Sequence, residues 1–254
     1  MRDPLARGDA ERDWKAYYRR VYPAWWERQA PRLGWSSYDA TLLDLLDARP
    51  GERALECGIG TGERYAIRLA QRGVRVCGVD IADALLRQCL RHSAAVGGAI
   101  AAQQADIDAL PYRDGAFERV YSFSTLWYVP SLAAALREMV RVTKPGGTIV
   151  FDLLNALHVT PALAYLATLT KRALGKAVGR WRPYSPLAIG RILRACPVRW
   201  QVLGFGVLLP TGLPVLGERA DLASLLPVFA AGLRNSPLRY LGAKLVYVCR
   251  RTSP

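Results

Sequence analysis

Short apolar runs alternate along the chain with stretches whose apolar residues recur every three to four positions, which predicts strands alternating with helices. Residues 53–57 form one such run, closing on Glu56 and a glycine-rich turn, Gly58-Ile59-Gly60-Thr61-Gly62. It reads as a buried strand feeding a helix over 62–71. A second strand over 74–79 ends at Asp80, a helix follows over 82–95, and strands are expected over 100–104 and 117–123. The stretch 132–143 is amphipathic, with Leu136, Met139 and Val140 on one face and Arg137, Glu138 and Arg141 on the other. Lys144-Pro145-Gly146-Gly147 is expected to stop that helix before a fifth strand over 147–153. Upstream, Ser36 or Ser37 is placed to cap a helix over 38–46, with Pro50-Gly51 as its stop. Downstream, helices are expected over 160–179 and from Tyr184-Ser185-Pro186 to about 195. Strands at 198–207 and 244–249 follow, joined by an apolar segment around 222–233.

The glycine turn invites a phosphate-binding reading, but a dinucleotide fingerprint is G-x-G-x-x-G, and Glu63 stands where its third glycine belongs. Glu56 at the mouth would repel a pyrophosphate and favour a ligand that is cationic at that end. The spacing here, an acidic residue followed by x-G-x-G-x-G, resembles motif I of the class I S-adenosylmethionine-dependent methyltransferases. That resemblance extends over about 35–153 through three further segments. Asp80 matches the acid that ends the second strand and accepts from the ribose hydroxyls, with Ile81 beside it. Ala105-Asp106-Ile107-Asp108-Ala109-Leu110-Pro111 is similar to the family's D-x-x-x-L-P segment, which implies that Asp106 accepts from the adenine amino group and that the Ile107 N–H meets a ring nitrogen. Arg-x-x-Lys-Pro-Gly-Gly before the fifth strand is a frequent structural signature of the same family.

Taken together, the resemblance implies a Rossmann-like α/β fold. Its seven-stranded, mostly parallel sheet would have an antiparallel last strand, helices on both faces and a lid. It implies S-adenosylmethionine as cofactor, with Glu56, Gly58, Gly60, Gly62, Asp80, Ile81, Asp106, Ile107 and Ser122 around it. Ser122, at the end of the fourth strand, matches a position whose backbone lies beside the methionine end. The segment after that strand often reads L-H-H-V-P in relatives; here it has Trp127 and Tyr128 in place of the histidines, which suggests an aromatic wall rather than a base.

Composition narrows the picture further. The chain has 254 residues and a net charge of +14. Up to Asn155 there are 21 Lys and Arg against 19 Asp and Glu, and from Ala156 onward 14 against 2, so the excess is C-terminal. That asymmetry points to an anionic partner: a charged or lipid-attached small-molecule substrate, a membrane surface in peripheral contact, or nucleic acid. Nucleic acid is disfavoured, because the Asn/Asp-Pro-Pro-Tyr type of motif and an appended RNA-binding module are both missing. No apolar run reaches the roughly 18 to 20 residues of a membrane span, and no signal peptide is recognisable, so a cytoplasmic protein is expected. Five cysteines without a C-x-x-C pair and two histidines far apart argue against a metal site.

Candidates at the acceptor end are few. Residues 13–30 are rich in aromatics, with Tyr18, Tyr22 and Trp26 at helical spacing and Pro23 as a break. They are read as a lid segment over 1–34, ahead of a methyltransferase domain over 35–254 with an inserted cap at about 154–196. Tyr18, Tyr22, Trp127 and Tyr128 are the candidate substrate-binding walls. His158, just past the fifth strand, is the candidate catalytic base, with Asp152 and Asn155 as polar contacts at the same rim. The acceptor is expected to be an oxygen or nitrogen of a small or amphiphilic molecule. An RNA methyltransferase and a non-catalytic partner protein are the alternatives.

Overall fold

The computed structural model describes residues 14–29, 36–95, 97, 100–175, 179, 181–205 and 236–253. Its centre is a seven-stranded sheet of β1 (Arg53–Cys57), β2 (Arg75–Asp80), β3 (Ile100–Gln104), β4 (Phe117–Ser122), β5 (Thr143–Leu154), β6 (Val198–Phe205) and β7 (Lys244–Arg251). The order is β3-β2-β1-β4-β5-β7-β6, and β7 runs antiparallel to both of its neighbours while β1 to β5 pair in parallel. The order reverses between β1 and β4. In open α/β sheets the crevice outside the strands' carboxyl ends at such a reversal is where ligands sit.

Helices cover both faces because the central strands are buried on both. On one side α6 (Leu132–Val142) and α8 (Pro186–Arg194) set Leu136, Met139, Ile189 and Leu193 against Phe117, Phe151 and Tyr247. On the other, α3 (Ser37–Leu46), α4 (Ala66–Gln71) and α5 (Asp83–Ala95) set Leu42, Leu46, Leu69 and Leu86 against Ala54, Val76 and Val150. Each fully buried leucine contributes about 1.5–3 kcal/mol. Two further helices, α1 (Trp14–Arg20) and α2 (Tyr22–Gln29), precede the sheet, and α7 (Val159–Ala173) follows β5.

Several expected boundaries move, each for a local reason. Pro23 does not break a helix from within: the break falls at Val21, and Pro23 lies in the first turn of α2, where a missing N–H costs nothing. Turns occupy 60–65, so the helix after the glycine loop begins only at Ala66. The Lys-Pro-Gly-Gly stop is absorbed into β5, whose pairing with β4 shifts register between Phe117 and Arg119 to accommodate it. α7 ends at Ala173 because Gly175, at φ +72°, takes the chain out of the helix before the later glycine at 179. α8 is part of the core through Ile189 and Leu193, so it belongs to the helical cover of the sheet rather than to a detached cap. By contrast, α7 leaves Leu163, Leu166 and Leu169 exposed. The apolar segment at 222–233 and the end of the expected strand at 206–207 lie outside the described residues.

Candidate active site

A cavity of about 330 Å³ opens at the carboxyl ends of the parallel strands, at the sheet's reversal point. Glu56 from β1, Asp80 from β2, and Asp106 and Ile107 from the loop after β3 line it, together with Gly58, Gly60, Gly62 and Ile81. All of the cofactor residues expected from the sequence are therefore gathered in one place except Ser122.

The glycine turn is shaped by what surrounds it. Gly58 sits at φ +86°, and a Cβ there would meet the Thr125 side chain at 2.3 Å, so only glycine fits. At Gly60, φ +54°, a Cβ would meet nothing within 4 Å, which leaves the backbone bare toward the cavity. The Gly58 and Ile59 N–H groups donate to the Val79 carbonyl, and the Gly60 N–H donates to Asp80 Oδ2 at 2.9 Å. The turn is thus pinned to the end of β2. α4 starts only at Ala66, so the glycine turn runs on through further turn residues before the helix begins.

Each carboxylate has spare acceptor capacity. Asp80 takes backbone N–H groups from Gly60 at 2.9 Å, from Ala82 at 2.8 Å and from Ile81, which leaves acceptor capacity on the carboxylate. Burial raises its pKa, and the N–H bonds from Ala82, Gly60 and Ile81 oppose the rise. Glu56 is only 3% exposed and receives the Tyr121 hydroxyl at 2.9 Å; burial pushes its pKa well above the usual carboxylate range despite that bond. Asp106 Oδ2 receives Lys15 Nζ at 2.7 Å, while Oδ1 is buried without a partner. An orphaned acceptor is costly unless a ligand donor meets it. A nucleoside amino group supplies such a donor, and the acid at the end of β2 suits vicinal hydroxyls. The residues present therefore fit the group that the resemblance implies.

The N-terminal aromatics close the cavity from above. Tyr18, Tyr22 and Trp26 line it with Trp127 and Tyr128. Ring centroids lie 5.2 Å apart for Tyr18 and Tyr128, and 5.9 Å for Tyr22 and Tyr128. Burial raises the Tyr18 and Tyr22 hydroxyls far above their ordinary pKa, so both stay protonated. Two contacts that sequence reasoning missed fasten α1 here: Lys15 to Asp106, and Arg19 Nε to the Ile81 carbonyl at 3.3 Å. Nothing in helical spacing marks these two cations out from their neighbours.

Three expected residues prove structural. Ser122 is fully buried, donates to the Cys57 carbonyl at 2.7 Å and ties β4 to β1; Phe123, Ser124 and Thr125 line the cavity instead, because the chain turns only after β4 ends. His158 does not line the cavity. Its Nδ1 accepts from the Thr160 N–H at 3.1 Å as the N-cap of α7, which commits its lone pair to the helix. Asn155 Nδ2 donates to the Tyr240 and Gly242 carbonyls and anchors the approach to β7.

Sequence reasoning also missed the support beneath the site. Asp39 closes a capping box with Ser36, takes Arg64 at 2.8 and 2.9 Å, and receives the Tyr65 hydroxyl at 2.6 Å. Burial pushes its pKa up, but the bonds from Arg64, Ser36 and Tyr65 outweigh that and hold it at about 2. Lys244, the first residue of β7, lines the cavity as well. Its signal lay in the topology: a last strand that runs antiparallel begins at the ligand edge.

Comparison with known proteins bears on the family and the fold. Residues 55–151 match the family described as "Methyltransferase domain". The chain is 36% identical over 116 residues to a malonyl-[acyl-carrier protein] O-methyltransferase of Serratia marcescens, a stretch covering 45% of this chain and 43% of that protein. It is 27% identical over 183 residues to a ubiquinone biosynthesis O-methyltransferase of Xanthomonas campestris, covering 70% of this chain and 76% of that one. Relatives 36–40% identical are spanned over only 33–43% of their own lengths. Among solved structures, a Thermotoga maritima protein described as a possible histamine N-methyltransferase superposes with TM-score 0.64 at 18% identity, over 94% of this chain and 100% of that one, which establishes the shared fold.

Proposed function

We propose, from the premise that residues 55–151 are a methyltransferase domain of the class I S-adenosylmethionine-dependent kind, that the chain methylates an oxygen or nitrogen of a small or amphiphilic, anionic molecule. One observation carries the reading. Three carboxylates with spare acceptor capacity, one of them holding an orphaned oxygen, surround a bare glycine turn in a single aromatic-roofed cavity. Asp80 holds the ribose hydroxyls, Asp106 Oδ1 accepts from the adenine amino group, and Glu56 meets the ammonium. S-adenosylmethionine supplies an electrophilic methyl on a positively charged sulfur, which leaves as a neutral thioether. What the protein must add is alignment, worth roughly 7–11 kcal/mol in well-oriented systems.

Among the described residues lining the cavity there is no histidine, and the tyrosine hydroxyls there stay protonated. The bases at hand there include the carboxylates of Glu56, Asp80 and Asp106, so the acceptor that suits the cavity is one needing no stronger base. α1 and α2 serve as a lid, fastened through Lys15 and Arg19 and excluding water with Tyr18 and Tyr22. The exposed leucines of α7, with Lys171 and Arg172 in its last turn, suit contact with an amphiphilic substrate or an anionic lipid surface. Flotation with anionic vesicles at low salt tests that contact, and a chain that stays at the bottom of the gradient rules it out.

Isothermal titration with S-adenosylhomocysteine tests the central reading. Micromolar binding by the wild type, lost in Asp80→Ala with the circular dichroism spectrum unchanged, is the expected result. Binding that survives Asp80→Ala unaltered would count decisively against it.

A further inference from the structure

The acceptor end of the cavity holds one more built feature, and it rests on four elements. Asp152 lies on the face of β5 that carries Val150, where the sheet's alternation calls for an apolar side chain, and it is fully buried. Three donors compensate it: the Ser124 N–H at 2.6 Å on Oδ1, and the Tyr38 hydroxyl at 2.7 Å and Lys244 Nζ at 3.2 Å on Oδ2. With every donor directed at it from α3, the turn after β4 and β7, Asp152 has no role left in touching a ligand. Its effect is to hold the lysine.

Lys244 is held at the cavity edge with its ammonium 4.8 Å from the Tyr38 ring centre and 5.1 Å from that of Trp127. Two aromatic faces and one carboxylate fix a flexible side chain that is otherwise costly to order. Its side chain remains 30% exposed. The other cation in the described cavity wall, Arg64, is spent in a two-pronged pair with Asp39. The strand order places β7 three spacings from β1, roughly 14 Å across the sheet, and the register sets Lys244 four residues, roughly 13 Å, along β7 from the row of Glu56. The cavity is acidic at one end and presents a positioned ammonium at the other.

We propose that Lys244 is the specificity-determining residue for the acceptor, its ammonium binding a monoanionic oxygen group, a carboxylate or an acidic phenolate, at the cavity edge beside Trp127. A monoanion suits the site because the Lys244–Asp152 pair is formally neutral and presents an oriented dipole, and a phosphate dianion would lack a second cation. This assignment rests on the methyl-transfer reading and refines it. It locates the anion selectivity in one residue of the cavity and not in the basic C-terminal surface as a whole.

The test uses the full chain saturated with S-adenosylhomocysteine and two matched probe pairs, benzoate with benzamide and decanoate with decanamide, titrated by ligand-observed NMR. In the wild type each acid is expected to bind about tenfold more tightly than its amide, the strength of one charge-assisted hydrogen bond. Lys244→Met should abolish that preference and Lys244→Arg retain most of it, with S-adenosylhomocysteine affinity unchanged in both. Equal binding of acid and amide by the wild type, a preference that persists in Lys244→Met, or phenyl phosphate binding more tightly than benzoate each overturns the assignment while leaving the methyltransferase reading in place. Failure of the wild type to bind S-adenosylhomocysteine takes down both.

Discussion

The two ends of the cavity bury carboxylates at the same edge of one sheet and use them in opposite ways. At the β1 and β2 end, Glu56 receives the Tyr121 hydroxyl and the Ala66 N–H, and Asp80 receives backbone N–H groups alone, so both retain acceptor capacity, and burial raises the pKa of each. At the β5 and β7 end, Asp152 is supplied by a backbone N–H, a tyrosine and a lysine, and it is shielded from the cavity. A carboxylate that lines the cavity with lone pairs to spare is open to a ligand donor. One fully supplied is a scaffold, and what it holds becomes the site. Access to the cavity, together with the donors already in place, separates the two: Glu56 and Asp80 line it, and Asp152 does not.

Substitutions test that contrast, and the largest effect is expected at Asp80. Asp80→Ala removes two charge-assisted bonds to a ribose, so S-adenosylhomocysteine affinity should fall by about 3–4 kcal/mol, two or more orders of magnitude, in isothermal titration. Asp80→Asn, which keeps the shape and loses the charge, should lose less.

Asp39 provides the complementary case of a fully supplied acid. Asp39→Ala strands Arg64 and Tyr65 and opens the capping box, and it should lower unfolding free energy by on the order of 3 kcal/mol in urea melts. Cofactor affinity measured well below the melting temperature should hardly change. A large loss of affinity with unchanged stability would dissolve the distinction between support and site.

Protonation gives a third, graded test. In the ligand-free protein Glu56 has a raised pKa, so between the unfolded carboxylate value and that raised value the folded state binds more protons than the unfolded one. Stability then falls as pH rises through this window, by up to about 1.4 kcal/mol per pH unit. Glu56→Gln should flatten the profile of melting temperature against pH. Binding of a cationic ligand requires the ionised form, so affinity should weaken as pH drops through the same window, and the Gln variant should lack that slope. Asp39 acts in the opposite sense: its pKa is depressed to about 2, so its contribution is present above the ordinary carboxylate value and lost as pH falls toward 2.

The smallest effect is expected at the roof. Tyr22→Phe removes one hydroxyl from an aromatic cluster whose rings remain packed, and should change S-adenosylhomocysteine affinity by less than about 1 kcal/mol. Tyr22→Ala, which opens the cavity to water, should cost more.

Much of the glycine-turn end of the cavity was legible in advance because it is local in sequence. The glycine turn needs positive φ at three alternating positions, and an acid that ends a strand reaches the sheet edge whatever the rest of the chain does. Ser122 misled because the strand ends one residue earlier than its apolar run suggests, which turns Phe123 and Ser124 to the cavity and leaves the serine inside the sheet. His158 misled because a residue just past a strand is also where the next helix begins, and its ring nitrogen answers the nearer demand of the Thr160 N–H. The Lys-Pro-Gly-Gly segment was read as a stop, yet pairing with β4 draws it into a strand.

By itself the amino-acid sequence determined the alternation of strands and helices, the carboxylates around the glycine turn and the uneven charge, because these follow from side-chain chemistry and spacing over a few residues. Only the tertiary structure decided which acids face a ligand and which are consumed as support. That depends on donors brought together from positions as far apart as Tyr38, Ser124, Asp152 and Lys244. Donor count around a buried charge is a property of packing, and packing joins residues that no local pattern connects.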